Sequence, residues 1–245
     1  MASDPLSNVV IFDFRKSLEQ LHLEKAPIQS RNQMYYYYPK PKVSYFIKSC
    51  ADPKGEAEKM ILAGPNCVIQ PIGIAGHSRD SFAKNPYWGI IMPLAQPIKE
   101  DDWTVDRIKA AKNAVDLLHT QGFVHCDIHP SNFLLWEKRV VLCDLGCAQT
   151  QKAGIANEPP WDSSWNFFSP ERILSVDTDF RKASVDDDKY AMGLSIYCIV
   201  TKKIPYGVEH DKVEEAVKKG TRVNFTEVKN VELRALIAGL CKVSL

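Results

Sequence analysis

The first 54 residues contain no glycine. That absence argues against a glycine-rich phosphate cradle near the amino terminus, because close backbone approach to an anion and turns with φ > 0 both depend on the missing side chain. Long hydrophobic runs are missing too. The longest, residues 191–200, is half a membrane span and reads as a buried helix, so no membrane partner is expected. Residues 1–14 lack both a basic stretch and a long apolar stretch, so no secretory leader is expected. No basic run stands out: Lys40-Pro41-Lys42 reads as a solvated turn. The formal net charge of +1 argues against a nucleic-acid partner. The seven cysteines form no C-x-x-C pair and are odd in number. They read as thiols in a reducing compartment, and a cytoplasmic location is expected. There is no internal repeat and no low-complexity linker.

What is present is ordinary for a globular protein: 245 residues, 45% hydrophobic and 25% charged, enough for one large domain or two lobes around a shared cleft. Apolar spacing predicts helices over 13–25, 56–63, 104–120, 186–201, 211–219 and 231–242. Thr104 is placed to cap the third of these and Gly122 to end it. Strands are expected over 35–38 and 43–48 as a hairpin, the four tyrosines packing one aromatic face. Further strands are expected over 68–74 and 88–92, and over 133–136 and 140–143 as a second hairpin. Strands concentrate before residue 95 and helices after it. This predicts an α+β protein with a β-rich lobe over 1–94 and a helical lobe over 95–245. The cleft between them is the default site.

The chemistry concentrates in His125-Cys126-Asp127-Ile128-His129-Pro130-Ser131-Asn132 and Cys143-Asp144-Leu145-Gly146. Asp127 and Asn132 are five positions apart, and Asp144 follows twelve later. Phosphoryl transfer from a nucleotide needs a carboxylate to orient and deprotonate a hydroxyl, and hard oxygen ligands to hold Mg²⁺ against the phosphates. Asp127 suits the first task, Asn132 and Asp144 the second. The bland alternatives are turn-forming Asp and Asn residues. His125, Cys126, His129, Cys143 and Cys147 could also suggest a soft-metal cluster, but no C-x-x-C pair supports zinc.

These motifs resemble those of eukaryotic-type protein kinases. The family's His-Arg-Asp catalytic loop is similar to residues 125–132, and its Asp-Phe-Gly motif to residues 144–146. Its Ala-Pro-Glu motif is similar to Ser169-Pro170-Glu171, and its large helix begins like Asp188-Lys189-Tyr190-Ala191-Met192-Gly193. The resemblance, over roughly residues 43–240, implies a bilobal kinase-like fold, ATP and Mg²⁺ as cofactors, and a protein substrate or a regulated partner protein. Lys48 would then grip the α- and β-phosphates, with Glu56 its partner and Glu58 the alternative. Met92 would stand behind the adenine, and the Pro93 carbonyl and Ala95 N–H would face it. Asp127 would be the base and Asn132 and Asp144 the metal ligands. Ser164 would bond the catalytic loop. Glu171 would need a partner such as Arg172 or Arg234, since the chain stops at Leu245, before the family's usual arginine.

Three departures stand out. The glycine-rich loop, expected between residues 25 and 45, has no glycine, which weakens the nucleotide grip. Cys126 replaces the arginine that reads activation-loop phosphorylation, and a thiol cannot pair with phosphate. His129 replaces a lysine near the γ-phosphate, so a fixed charge gives way to a titratable ring. The Lys48-to-Glu56 gap of eight is also short. Three readings follow: a divergent Ser/Thr-type protein kinase, a pseudokinase that regulates a partner, and a small-molecule kinase of the aminoglycoside or choline type, whose loops His129-Pro130 fits well.

Overall fold

The computed structural model describes the backbone of residues 9–12, 24–25, 35–40, 43–77, 87–152, 165–174 and 184–243. The chain divides into two compact units. The first comprises residues 1–96 with 135–146, and the second residues 97–134 with 147–245.

The first unit is built on a six-stranded sheet in the order β1-β5-β6-β4-β3-β2. The strands are β1 (Val9–Phe12), β2 (Glu24–Lys25), β3 (Tyr35–Lys40), β4 (Val43–Ser49), β5 (Gly73–His77) and β6 (Tyr87–Pro93). Aromatic and β-branched residues dominate β3, β4 and β6, as a pleated half-buried surface favours. The tyrosine strand pairs antiparallel with β4, Tyr36 opposite Ile47 and Tyr37 opposite Phe46. β4 in turn pairs with β6, Lys48 opposite Ile90. Gly89 lets these two backbones approach: a Cβ there would stand 2.8 Å from the Lys48 carbonyl oxygen. Ile47, Ala75, Trp88 and Ile91 pack as one core cluster, with Tyr45 and Ile72 against it.

Helix α1 (Pro53–Ala63) follows β4 after only three residues. Its start is set by Asp52, whose carboxylate accepts the Gly55 N–H at 3.0 Å, and by Pro53 in the first turn. Two expectations need correcting here. The helix predicted over 13–25 ends in strand: Glu24 and Lys25 pair with Tyr37 and Tyr36, and residues 13–23 lie outside the described set. The strand predicted over 68–74 does not form as one element. Pro71 cannot donate to a ladder, and Val68 makes only a single bridge, to Leu142. The strand proper starts at Gly73.

That bridge joins residues 135–146 to this unit, with Leu142 N–H donating to the Cys67 carbonyl at 2.7 Å and its carbonyl accepting from Ile69 at 3.0 Å. The expected boundary at 94/95 had placed this segment with the helical part. β9 (Phe133–Trp136) and β10 (Arg139–Leu142) are neighbours in a three-stranded sheet whose edge is β7 (Gln96–Pro97). Their turn is made by Glu137 and Lys138, both at positive φ.

The second unit is helical. It contains α2 (Val105–Thr120), α3 (Pro170–Leu174), α4 (Val185–Thr201), α5 (Val213–Lys218) and α6 (Val231–Cys241), with the short strands β8 (Phe123–Val124) and β11 (Gln149–Thr150) paired antiparallel. Thr104 caps α2 through the Arg107 N–H, and Gly122 follows its end at φ 81°. α4 is nearly buried all round, with Met192, Leu194, Ser195 and Ile196 at 0% exposure, as its apolar run requires. Ser184 opens α4: its N–H and hydroxyl both donate to Asp187 Oδ2 at 2.8 Å. Ser169 caps α3 by accepting the Arg172 N–H, and its hydroxyl donates to Asp187 Oδ1 at 3.2 Å. Among the described residues no helix is long and apolar enough to cross a membrane.

Candidate functional site

Two groups of candidate residues are assembled, one in each unit. In the first, α1 starts so soon after β4 that a separation of eight positions is enough to bring Lys48 and Glu56 together. Lys48 Nζ donates to Glu56 Oε1 at 2.7 Å and to Asp144 Oδ1 at 2.7 Å. Lys48 and Glu56 are each 4% exposed. Burial works against the charge on Lys48, but the Glu56 and Asp144 carboxylates outweigh it and hold its pKa above the ordinary lysine range. Glu58 is excluded as the partner by helix phase, since it lies on the exposed side of α1.

Asp144 adopts the left-handed conformation, φ 60°, which its own side chain supports by accepting the Gly146 N–H at 3.4 Å. A Cβ on Gly146 would lie 3.3 Å from Asp144 Oδ1 and 3.6 Å from Glu56 Oε2, so this glycine keeps the carboxylates uncrowded. The Lys48 ammonium and the Gly146 amide both engage Oδ1. Met92 is buried in β6 opposite Phe46. Pro93 ends that strand opposite Tyr45, and both Pro93 and Ala95 are half-buried. The glycine-free connection between the paired strands β2 and β3 lies outside the described residues.

In the second unit the loop at 125–132 is anchored from α4. Asp188, 1% exposed, accepts the His125 N–H on Oδ2 at 2.7 Å and the Cys126 N–H on Oδ1 at 2.9 Å. His119 Nε2 faces the same Oδ2 at 2.9 Å. Cys126 sits at φ 70° and is 4% exposed, with its thiol donating to the Val124 carbonyl. A buried non-glycine residue held at positive φ stores strain, a recurrent mark of functional loops.

Past that turn, Asn132 Nδ2 donates to the Asp127 carbonyl at 2.8 Å and to Asp127 Oδ2 at 3.3 Å. His129 Nε2 stands 3.6 Å from the same Oδ2, and its ring lies 5.9 Å from that of Phe167. Burial raises the Asp127 pKa, but His129, His125 and Asn132 outweigh it and hold the carboxyl below the ordinary range. The Asn132 amide is turned with its nitrogen toward Asp127, which directs its oxygen the other way. A carboxylate and a carboxamide oxygen are the hard donors Mg²⁺ takes.

Other predicted residues fall elsewhere. Ser164 lies outside the described residues. Glu171 is exposed. The Arg172 guanidinium lies 4.3 Å from the Phe168 ring centre. The roles of Asp188 and His119 were not read from sequence, although Asp188 opens a motif that was. None of the seven cysteines, all among the described residues, is in a disulfide.

The protein kinase domain model matches residues 94–244, more than half of the chain. A probable serine/threonine-protein kinase of Clostridium perfringens is 35% identical over 40% of this chain and 14% of its own length. The serine/threonine-protein kinase ArnS of Sulfolobus acidocaldarius is 28% identical over 58% of this chain and 23% of its length. The serine/threonine-protein kinase-transforming protein mos of Moloney murine sarcoma virus is 29% identical over 43% and 28%. The chain thus spans less than a third of the length of each of these relatives. With an α+β fold, the four motifs in order and the matched model, the chain belongs to the protein kinase domain family.

Proposed function

We propose that this chain is an ATP-dependent protein kinase of the serine/threonine type, which transfers the γ-phosphate of ATP to a protein hydroxyl. The observation that carries this reading is the buried Lys48, bridged at 2.7 Å to both Glu56 and Asp144. Taking the Lys48 and Glu56 charges out of water, with Asp144 partly exposed beside them, is a poor route to stability, because desolvation offsets most of their attraction. Such a cluster is better explained by what its charges do, here an ammonium for the α- and β-phosphates and a carboxylate for a cation.

In this reading the Pro93 carbonyl and Ala95 N–H take the adenine, with Met92 behind it. Mg²⁺, when bound, supplies the positive charge that neutralises the phosphate oxygens during transfer. Asp144 and Asn132 offer it oxygens. Asp127 orients the attacking hydroxyl and receives its proton as the new P–O bond forms and the bond to the leaving ADP breaks. His129 donates a hydrogen bond toward the transferred phosphoryl group.

Radiolabelled phosphate transfer from ATP with Mg²⁺ to a general protein substrate tests the reading. Incorporation should be lost in Asp127→Asn. Equal incorporation by native protein and variant would refute it. Choline and an aminoglycoside in place of the protein substrate separate the small-molecule reading.

The absence of glycine between residues 25 and 45 favours a second reading, a pseudokinase that regulates a partner protein. That reading expects no turnover and little Mg²⁺-dependent thermal stabilisation by ATP.

A further inference from the structure

Helix α1 presents a second residue to the Asp-Leu-Gly motif. Lys59, three positions after Glu56 and therefore on the same side of the helix, directs Nζ at main-chain carbonyls. It donates to the Leu145 oxygen at 3.3 Å and to the Gly146 oxygen at 3.1 Å. These carbonyls immediately follow Asp144, whose left-handed backbone is the strained point of the motif. One turn of α1 thus holds Asp144 in two ways. Glu56 shares Lys48 with the Asp144 carboxylate, and Lys59 holds the peptides that follow it.

We propose that Lys59 is a positioning residue that straps α1 to the Asp-Leu-Gly segment and keeps Asp144 in its cation-ready conformation. The ammonium is suited to this. It carries three donors and no acceptor, so it can serve two carbonyls together, and charge-assisted bonds are stronger than neutral ones. Leu145 is 0% exposed, so its side chain anchors the same segment from within, and the strap acts on the backbone alone. A displacement of α1 breaks the Glu56 and Lys59 contacts together, which couples the phosphate-gripping lysine to the geometry of the metal ligand. Conversion of the Lys59 ammonium to a neutral amide would remove the charge and leave one donor for two acceptors.

The metal-ligand part of this proposal rests on the kinase reading above; the strap does not. The test compares native protein, Lys59→Met and Lys59→Arg by two measurements. Hydrogen exchange of the peptide covering residues 143–147 reads the strap without any ligand. Phosphate transfer titrated with Mg²⁺ at saturating ATP reads Asp144. Lys59→Met should speed exchange of that peptide about ten-fold, the equilibrium equivalent of one charge-assisted hydrogen bond. It should raise the Mg²⁺ concentration for half-maximal rate by a similar factor, with the KM for the protein substrate unchanged. Lys59→Arg should restore most of both.

Unchanged exchange in Lys59→Met overturns the strap. Faster exchange with an unchanged Mg²⁺ midpoint overturns the positioning role. If the native protein transfers no phosphate, the kinase reading falls, and exchange still decides the strap.

Discussion

Asp188 reaches back 62 positions to accept the Cys126 N–H at 2.9 Å, holding a non-glycine residue at φ 70° in the loop that carries Asp127. The same carboxylate takes the His125 N–H and faces His119, so one buried side chain organises the entrance to the loop. Its removal leaves two buried backbone donors without their acceptor. Asp188→Ala should therefore lower stability by about 3–5 kcal/mol, as for other broken buried networks. The urea midpoint of the purified variant measures it. A loss under about 1 kcal/mol, the size of an average substitution, would mean that the loop is held by other contacts.

Asp127 and Lys48 should contribute without titrating near neutrality. The Asp127 carboxyl is held below its ordinary range. Its contribution is present above the unfolded value of about 3.9 and is lost as pH falls through the lower folded value. Lys48 is held above its ordinary range. Its contribution is present below about 10.4 and is lost only as pH rises through the higher folded value. NMR titration of the native protein should show the Asp127 carboxyl changing protonation only below about 3.9 and the Lys48 ammonium only above about 10.4. A transition of either group between about pH 5 and about pH 9 would contradict the assigned directions.

The contact between α4 and α6 depends on Gly193. A Cβ there would run into Cys241 Sγ, with Leu240 Cβ at 3.6 Å and Ile237 Cγ2 at 3.8 Å. Gly193→Ala should cost about 1–3 kcal/mol by overpacking. Adding Cys241→Ala should recover most of that loss, giving a favourable coupling in a double-mutant cycle of thermal or urea unfolding. Additive losses would place the strain elsewhere.

Four thiols, three of them buried and that of Cys50 half-buried, should be slow to alkylate. Burial is the first cause in each case. It pushes Cys50 up to about 12, with the Glu56 carboxylate adding to the shift, Cys67 to about 11, and Cys241 to about 12. Cys126 is raised further, with Asp188 adding to burial. Only the thiolate reacts, so at pH 8 iodoacetamide should label these four at least about 100-fold more slowly in the native protein than in denaturant. Peptide mapping by mass spectrometry reads each site. Rapid native labelling of Cys126 would show that the loop opens.

Much of the fold could be read locally. The helices over 104–120, 186–201 and 231–242 appear within a residue or two, because amphipathic or apolar periods and the Thr104 cap are properties of neighbouring residues. The tyrosine hairpin appears for the same reason. The start of α1 was placed three residues late, although Asp52-Pro53 is a start signal in its own right. The apolar run over 68–74 reads as one strand, but Pro71 interrupts it, and Val68 makes a single bridge to Leu142.

The site divides along the same line. Asp127 and Asn132 lie in one loop, and their hydrogen bonds span five positions, so their pairing follows from local chain geometry. The choice between Glu56 and Glu58 depended on helix phase, which is set by where α1 begins and which face the sheet covers. Lys48 meets Asp144 across 96 positions, Lys59 meets Leu145 across 86, and Asp188 meets Cys126 across 62. No local pattern encodes such meetings. The sequence alone determined the element types, the loop chemistry and the family motifs, because these depend on residues within a few positions of one another. The tertiary structure alone decided which charges are buried together, because strand register, helix phase and packing bring distant positions into contact.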